Sequence, residues 1–132
     1  KNPPQDFLEF QARNSGSANI SGYVPELAPT LAESALMVVP VRAGGGMRVR
    51  ILEAFAYAMP VVTTTIGLEG IQAELEKDVI VADKADDFAS RVVELLENPS
   101  LQEKLSVHGR ALAETRYDWQ AALSAMKKIY EA

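Results

Sequence analysis

The stretch Val38-Val39-Pro40-Val41-Arg42-Ala43-Gly44-Gly45-Gly46-Met47-Arg48-Val49-Arg50-Ile51-Leu52-Glu53-Ala54 decides the architecture. An apolar run ends, three glycines follow, and a helical pattern begins. An open α/β sheet places its ligands here, beyond the carboxyl end of a strand and against the start of a helix. Glycines let the backbone approach a ligand, and the first N–H groups of a helix point at an anion. A diphosphate suits such a place. The glycines taken alone fit a second reading equally, a loop that merely turns the chain.

Outward from this block, the apolar runs at 19–21, 36–39, 60–64 and 79–82 read as strands, the first being the shortest. The other three are nearly continuous in apolar or β-branched residues, which suits strands covered on both faces. Helical patterns at 25–35, 47–58 and 84–97 separate them. Strands alternating with helices imply parallel pairing through crossovers, so the class is α/β, a Rossmann-like parallel sheet with flanking helices. The sheet portion is expected over about residues 19–82 and a helical tail over 84–132.

Within the helix over 47–58, Val49, Leu52, Ala56 and Met59 form one apolar stripe and Ile51, Ala54, Phe55 and Ala58 another, which predicts a largely buried helix. Arg50, Glu53 and Tyr57 share the remaining polar face. By spacing alone, Glu53 either accepts ribose hydroxyls or pairs with Arg50 at the surface. In the tail, Phe88, Val92, Leu95 and Leu96 share a face, with Asp83 expected as N-cap and Asp86 and Asp87 in the first turn. Asn98 then caps a further helix that opens at Pro99. Trp119, Leu123, Met126 and Tyr130 stripe a last one, preceded by Asp118 as cap.

The 132 residues are 48% hydrophobic, enough for one domain with a core. A net charge of -5 argues against a nucleic-acid partner. The absence of cysteine removes disulfides, zinc–thiolate sites and thiol nucleophiles and suits a reducing cytoplasm. No apolar run approaches the roughly 20 residues of a membrane-spanning helix. The opening Lys1-Asn2-Pro3-Pro4 carries neither a methionine nor a signal-peptide pattern, and a fragment of a larger protein is expected.

Several blocks resemble the C-terminal, donor-binding domain of GT-B, family-4 (group 1) glycosyltransferases. They are Gly22-Tyr23-Val24, Val38-Val39-Pro40, Leu52-Glu53-Ala54-Phe55-Ala56, Pro60-Val61-Val62-Thr63-Thr64 and Tyr117-Asp118-Trp119, in that order. In family members the position of Glu53 binds the donor's ribose, and a second glutamate stands eight residues earlier, where this chain has Gly45. That departure, with Arg48 and Arg50 after the glycines, resembles a subgroup with a Gly-rich loop in place of the first glutamate. It leaves the donor sugar unspecified. The resemblance implies a donor site formed by Gly44, Gly45, Gly46, Met47, Arg48 and Glu53, with Tyr23 and Val24 near the base. Arg48 either supplies charge to the diphosphate or stands in solvent.

The resemblance further implies a retaining, hexosyltransferase-type enzyme that moves a sugar from a nucleotide-diphosphate donor to a glycan or lipid-linked acceptor, as in polysaccharide biosynthesis. The acceptor would be bound by an N-terminal domain outside this chain. Backbone N–H groups at Gly45, Gly46 and Met47, with the helix dipole, would offset charge on the leaving diphosphate. No cofactor or metal is implied, and the acidic run 83–87 reads as helix capping. A cytoplasmic location is expected, peripheral to the inner face of the membrane in the parent protein. The first two strands of such a domain are missing, so the fragment alone is expected to be inactive. The orphaned strand at 19–21 is expected either to rearrange or to self-associate through exposed sheet edges.

The main rival is a non-catalytic Rossmann-like nucleotide-binding module; a nucleotide-sugar epimerase and a purely structural domain rank below it. His108, in the stripe Leu101, Leu105, Leu112, reads as a half-buried core histidine. Gly67-Leu68-Glu69-Gly70 follows a strand at the ligand edge, and either lines the site or only carries a solvated acid.

Overall fold

The computed structural model describes residues 3–121, 123 and 124. The chain divides into two units, Lys1–Thr30 and Leu31–Ala132. In the first, helix α1 (Gln5–Arg13) has Asp6 in its first turn and Arg13 in its last, both complementing the helix dipole. The Asn14 side chain donates to the Phe10 carbonyl (2.9 Å) and closes the helix end. Helix α2 (Leu27–Ala32) starts in this unit and ends in the second.

The segment 19–21, expected as a strand, is not one. The Ile20 N–H donates instead to Gln11 Oε1 (3.1 Å), and Gly22 turns away at a φ of 67°. A strand needs a ladder partner, and an apolar residue between asparagine and serine has little β preference without one. The sheet therefore occupies residues 37–81 rather than beginning near 19.

The second unit carries a parallel sheet of β1 (Met37–Val39), β2 (Val61–Thr63) and β3 (Ile80–Val81), in the order β1-β2-β3. Met37 aligns with Val61 and Val39 with Thr63; Val62 aligns with Ile80. The central strand β2 is fully buried, as its unbroken apolar run requires. Helix α3 (Val49–Ala56) lies between β1 and β2, and α4 (Ala85–Glu97), α5 (Pro99–Leu112) and a π-helical turn, Ala113–Tyr117, follow β3.

Val62, Ile80, Leu95 and Leu105 form a core cluster, with Leu36, Phe88, Val92 and Leu101 packed against it. Leu96, expected on the same face, is about half exposed. On α3 only Ile51, Ala54 and Phe55 are buried; Val49 and Ala56 face solvent, so the helix has one apolar face rather than two. Phe55 packs so tightly on α5 that a Cβ at Gly109 would stand 2.8 Å from its Cδ1.

The α4–α5 corner follows the sequence pattern. Asn98 Oδ1 accepts the Leu101 N–H (3.0 Å), Pro99 opens α5, and Gln102 Nε2 donates to the Leu95 carbonyl (2.8 Å) at the end of α4. Asp83 departs from it. Lys84 occupies the N-cap position of α4 with no side-chain cap, while Asp83 reaches back to Thr65. Trp119 is 80% exposed and Leu123 is exposed, whereas Met126 and Tyr130 lie outside the described residues.

Candidate functional site

The loops that leave the carboxyl ends of β1 and β2 are laced together by hydroxyl groups. Thr63 Oγ1 donates to the Val39 carbonyl (3.0 Å), and Thr64 Oγ1 donates to the Val41 carbonyl while accepting the Gly67 N–H (3.0 Å). The turn at Gly67 is so close that an added Cβ would lie 2.1 Å from Thr63 Oγ1 and 3.2 Å from the Val39 carbonyl oxygen. Three residues on, a Cβ at Gly70 would meet Met47 Cβ at 3.3 Å. The loop 65–70 therefore stands against Met47, the residue that follows the three glycines, and carries Glu69 exposed.

The third strand is tied in by Asp83. Its carboxylate accepts the Thr65 N–H and the Thr65 hydroxyl, each at 2.8 Å. These donors, the backbone N–H foremost, hold the carboxyl below its ordinary range because they bond to the ionised form.

The glycine loop itself is shaped by Arg48. Its Nη1 donates to the carbonyls of Gly45 (2.8 Å) and Gly46, and its Nη2 to that of Gly44 (3.1 Å). The side chain thus neither extends into solvent nor sits in the first helical turn: Arg48 is the N-cap residue, and α3 opens at Val49 rather than at Met47. The backbone reaches that start through Gly44 and Gly46, at φ of 113° and 90°, conformations that a Cβ disfavours. Gly45 is not in the left-handed region, and a Cβ there would meet nothing within 4 Å.

Glu53 is half-buried on α3, and among the described residues its carboxylate has no hydrogen-bond or ion-pair partner. The alternative pair with Arg50 is not formed; Arg50 is exposed. Helix α3 is held against β2, α5 and the π-helical turn. Of the residues expected at the site, Met47 meets Gly70, Arg48 ties Gly44, Gly45 and Gly46 together, and Glu53 lies on the helix that leaves the loop. Tyr23, 82% exposed, and half-buried Val24 belong to the other unit.

Thr63, Thr64 and Thr65 are the contributors that sequence reading passed over. Their signal was a run of three hydroxyls at the carboxyl end of a buried strand, where they meet backbone polar groups left by the ladder. His108 is half-buried as expected, and it lines a separate cleft of about 460 Å³ with Glu74, Lys77 and Arg116. At Gln72, which also lines this cleft, the N–H donates to the Tyr117 hydroxyl (2.6 Å) and Oε1 accepts from Arg116 (3.1 Å). Among the described residues no cluster of three histidine or acidic side chains stands ready for a metal ion. Among them, too, no helix is long and apolar enough to cross a membrane.

Residues 1–98 match the family described as glycosyl transferases group 1. No curated protein matches the chain. The fold is similar to that of the C-terminal domain of a glycosyl transferase group 1 family protein (LpcC) from Francisella tularensis. The TM-score is 0.71 at 18% identity, over 87% of this chain and 64% of that one. The chain therefore spans less than two thirds of that domain's length.

Proposed function

The chain belongs to the group 1 glycosyl transferases, and from that premise we propose that it forms the nucleotide-diphosphate-sugar site of a retaining enzyme. The observation that carries this reading is Glu53, a half-buried carboxylate without a partner among the described residues, on the helix that leaves the glycine loop. An ionised carboxylate bonds well only to donors, and two adjacent ribose hydroxyls supply a pair of them. The loop ahead of α3 receives the diphosphate. There, backbone N–H groups and the positive end of the helix dipole offset the charge that grows as the glycosidic bond to the leaving diphosphate breaks.

The chemistry assigned to this chain is to hold and orient the donor. The second substrate, a glycan or lipid-linked acceptor, falls to a separate domain of the parent protein. No residue of this chain is assigned proton transfer: His108 lines its own cleft, away from the residues gathered at the glycine loop.

Calorimetric titration of the full-length protein with UDP, GDP and ADP tests the reading. One nucleotide binds, and Glu53→Ala weakens it about tenfold or more while leaving the unfolding midpoint nearly unchanged, as loss of hydrogen bonds to a charged group predicts. Failure of all three nucleotides to bind would remove the donor site from this loop. Tight binding without sugar transfer by the full-length protein would instead leave a non-catalytic nucleotide-binding module.

A further inference from the structure

Among the described residues, Arg48 is the one side chain that touches three consecutive carbonyls of the glycine loop, those of Gly44, Gly45 and Gly46. The peptide units of this loop are planar and trans, so the carbonyl of one residue and the N–H of the next point in opposite directions. With the three carbonyls drawn in to the guanidinium, the N–H groups of Gly45, Gly46 and Met47 are turned to the other side of the loop. Among the described residues those three N–H groups have no acceptor.

We propose that Arg48 is a positioning residue for the donor diphosphate: its guanidinium holds the loop carbonyls inward and thereby presents three amides outward as the diphosphate-receiving surface. The inference rests on the donor-site reading above and assigns Arg48 a role that reading leaves open.

Two features favour positioning over direct contact. Three of the guanidinium's five donors are already committed to the loop, including both on Nη1. The loop also needs an internal tie. Gly44 and Gly46 hold left-handed φ values that glycine shares with many alternatives, so the backbone alone does not select this conformation. A planar fork reaching three oxygens at once selects it, and an ammonium, a point donor, does not do so in the same way.

The test uses the full-length protein, labelled with 15N-glycine, and the variants Arg48→Gln and Arg48→Lys. In the nucleotide-free wild type the Gly45 and Gly46 amides have order parameters near the rigid value of about 0.85, and in both variants they fall below about 0.6. Affinity for the preferred nucleoside diphosphate drops about tenfold or more in both. Affinity for the matching monophosphate, which the base and ribose contacts hold, changes less than about twofold.

A loop that stays rigid in Arg48→Gln while diphosphate affinity falls would overturn the proposal in favour of direct contact. So would recovery of affinity by lysine. Equal losses for the monophosphate and the diphosphate would reduce Arg48 to a general structural role. A wild type that binds none of the nucleotides would sink the donor-site reading itself. A wild type that binds, with variants that bind as well, would sink only the role of Arg48.

Discussion

Two glycine-containing turns stand side by side at the carboxyl ends of β1 and β2, and they use glycine for opposite reasons. At Gly67 there is no room: a Cβ would fall 2.1 Å from Thr63 Oγ1. In the loop 44–46 space is not the constraint at Gly45 or Gly46, where a Cβ would meet nothing within 4 Å. At Gly44 and Gly46 conformation is the constraint, with φ of 113° and 90°, and the loop's surface is left bare. The first turn is structural, a hard stop that fixes where the loop 65–70 lies. The second is an open cradle that one arginine ties from behind. A rigid wall beside a tied but uncovered loop is what a site needs when it must stay shaped without its ligand.

The largest effect is expected where the space is least. Gly67→Ala forces an alanine methyl into Thr63 Oγ1 and towards the Val39 carbonyl, which is backbone and cannot step aside. Overpacking of this kind costs about 1–3 kcal/mol in urea unfolding. Removing the obstructing hydroxyl should return part of that. In a Thr63→Ala background the added cost of Gly67→Ala is expected to fall by about half, a coupling that a double-mutant cycle measures directly. Equal costs in the two backgrounds would place the clash at Thr64 Oγ1 and the Val39 carbonyl, each 3.2 Å from the added Cβ, rather than at the Thr63 hydroxyl.

The glycine loop sharpens the same comparison at lower energy. Gly46→Ala places a Cβ on a residue with φ of 90°, and the expected cost is about 1–2 kcal/mol. Gly45→Ala, with a free Cβ position and no left-handed φ, should change stability by less than about 0.5 kcal/mol. Urea midpoints of the two variants, measured together, separate conformation from space within adjacent residues. A large loss at Gly45 would show that something covers the loop.

How much of this was legible beforehand depended on the range of the forces. The three strands of the sheet were visible because a buried parallel strand writes itself as an apolar run, and the Asn98-Pro99 corner was visible because a cap and its helix are neighbours in sequence. Residues 19–21 look similar over three positions, but a strand exists only with a partner. Here the Ile20 N–H is taken by Gln11. The glycine loop between β1 and α3 could be read; its internal ties could not. Arg48 shows a charge at a helix start, and nothing in the spacing says that the guanidinium folds back on the carbonyls behind it. The exposure of Val49 and Ala56 was hidden for a related reason: a period marks which residues share a face but not which face finds a neighbour.

Asp83 is the smallest and most specific case. In sequence it has every mark of an N-cap, an acid directly ahead of a helix, yet its acceptors serve Thr65, eighteen residues earlier, through the Thr65 N–H and hydroxyl. Both donors favour the ionised carboxylate, so its folded pKa lies below its unfolded value, which is near the ordinary aspartate value of about 3.9. A carboxylate of this kind contributes stability that is fully present above the unfolded pKa and is lost as pH falls through the folded one. The difference in unfolding free energy between wild type and Asp83→Ala should therefore be flat at neutral pH and shrink only below about pH 4. Thr65→Val removes the hydroxyl but leaves the backbone N–H, so an NMR titration of the Asp83 carboxyl carbon should find its pKa raised only partway towards the ordinary value. A full return would assign the whole effect to the hydroxyl. No change would detach Asp83 from the lacing that joins the ends of β2 and β3.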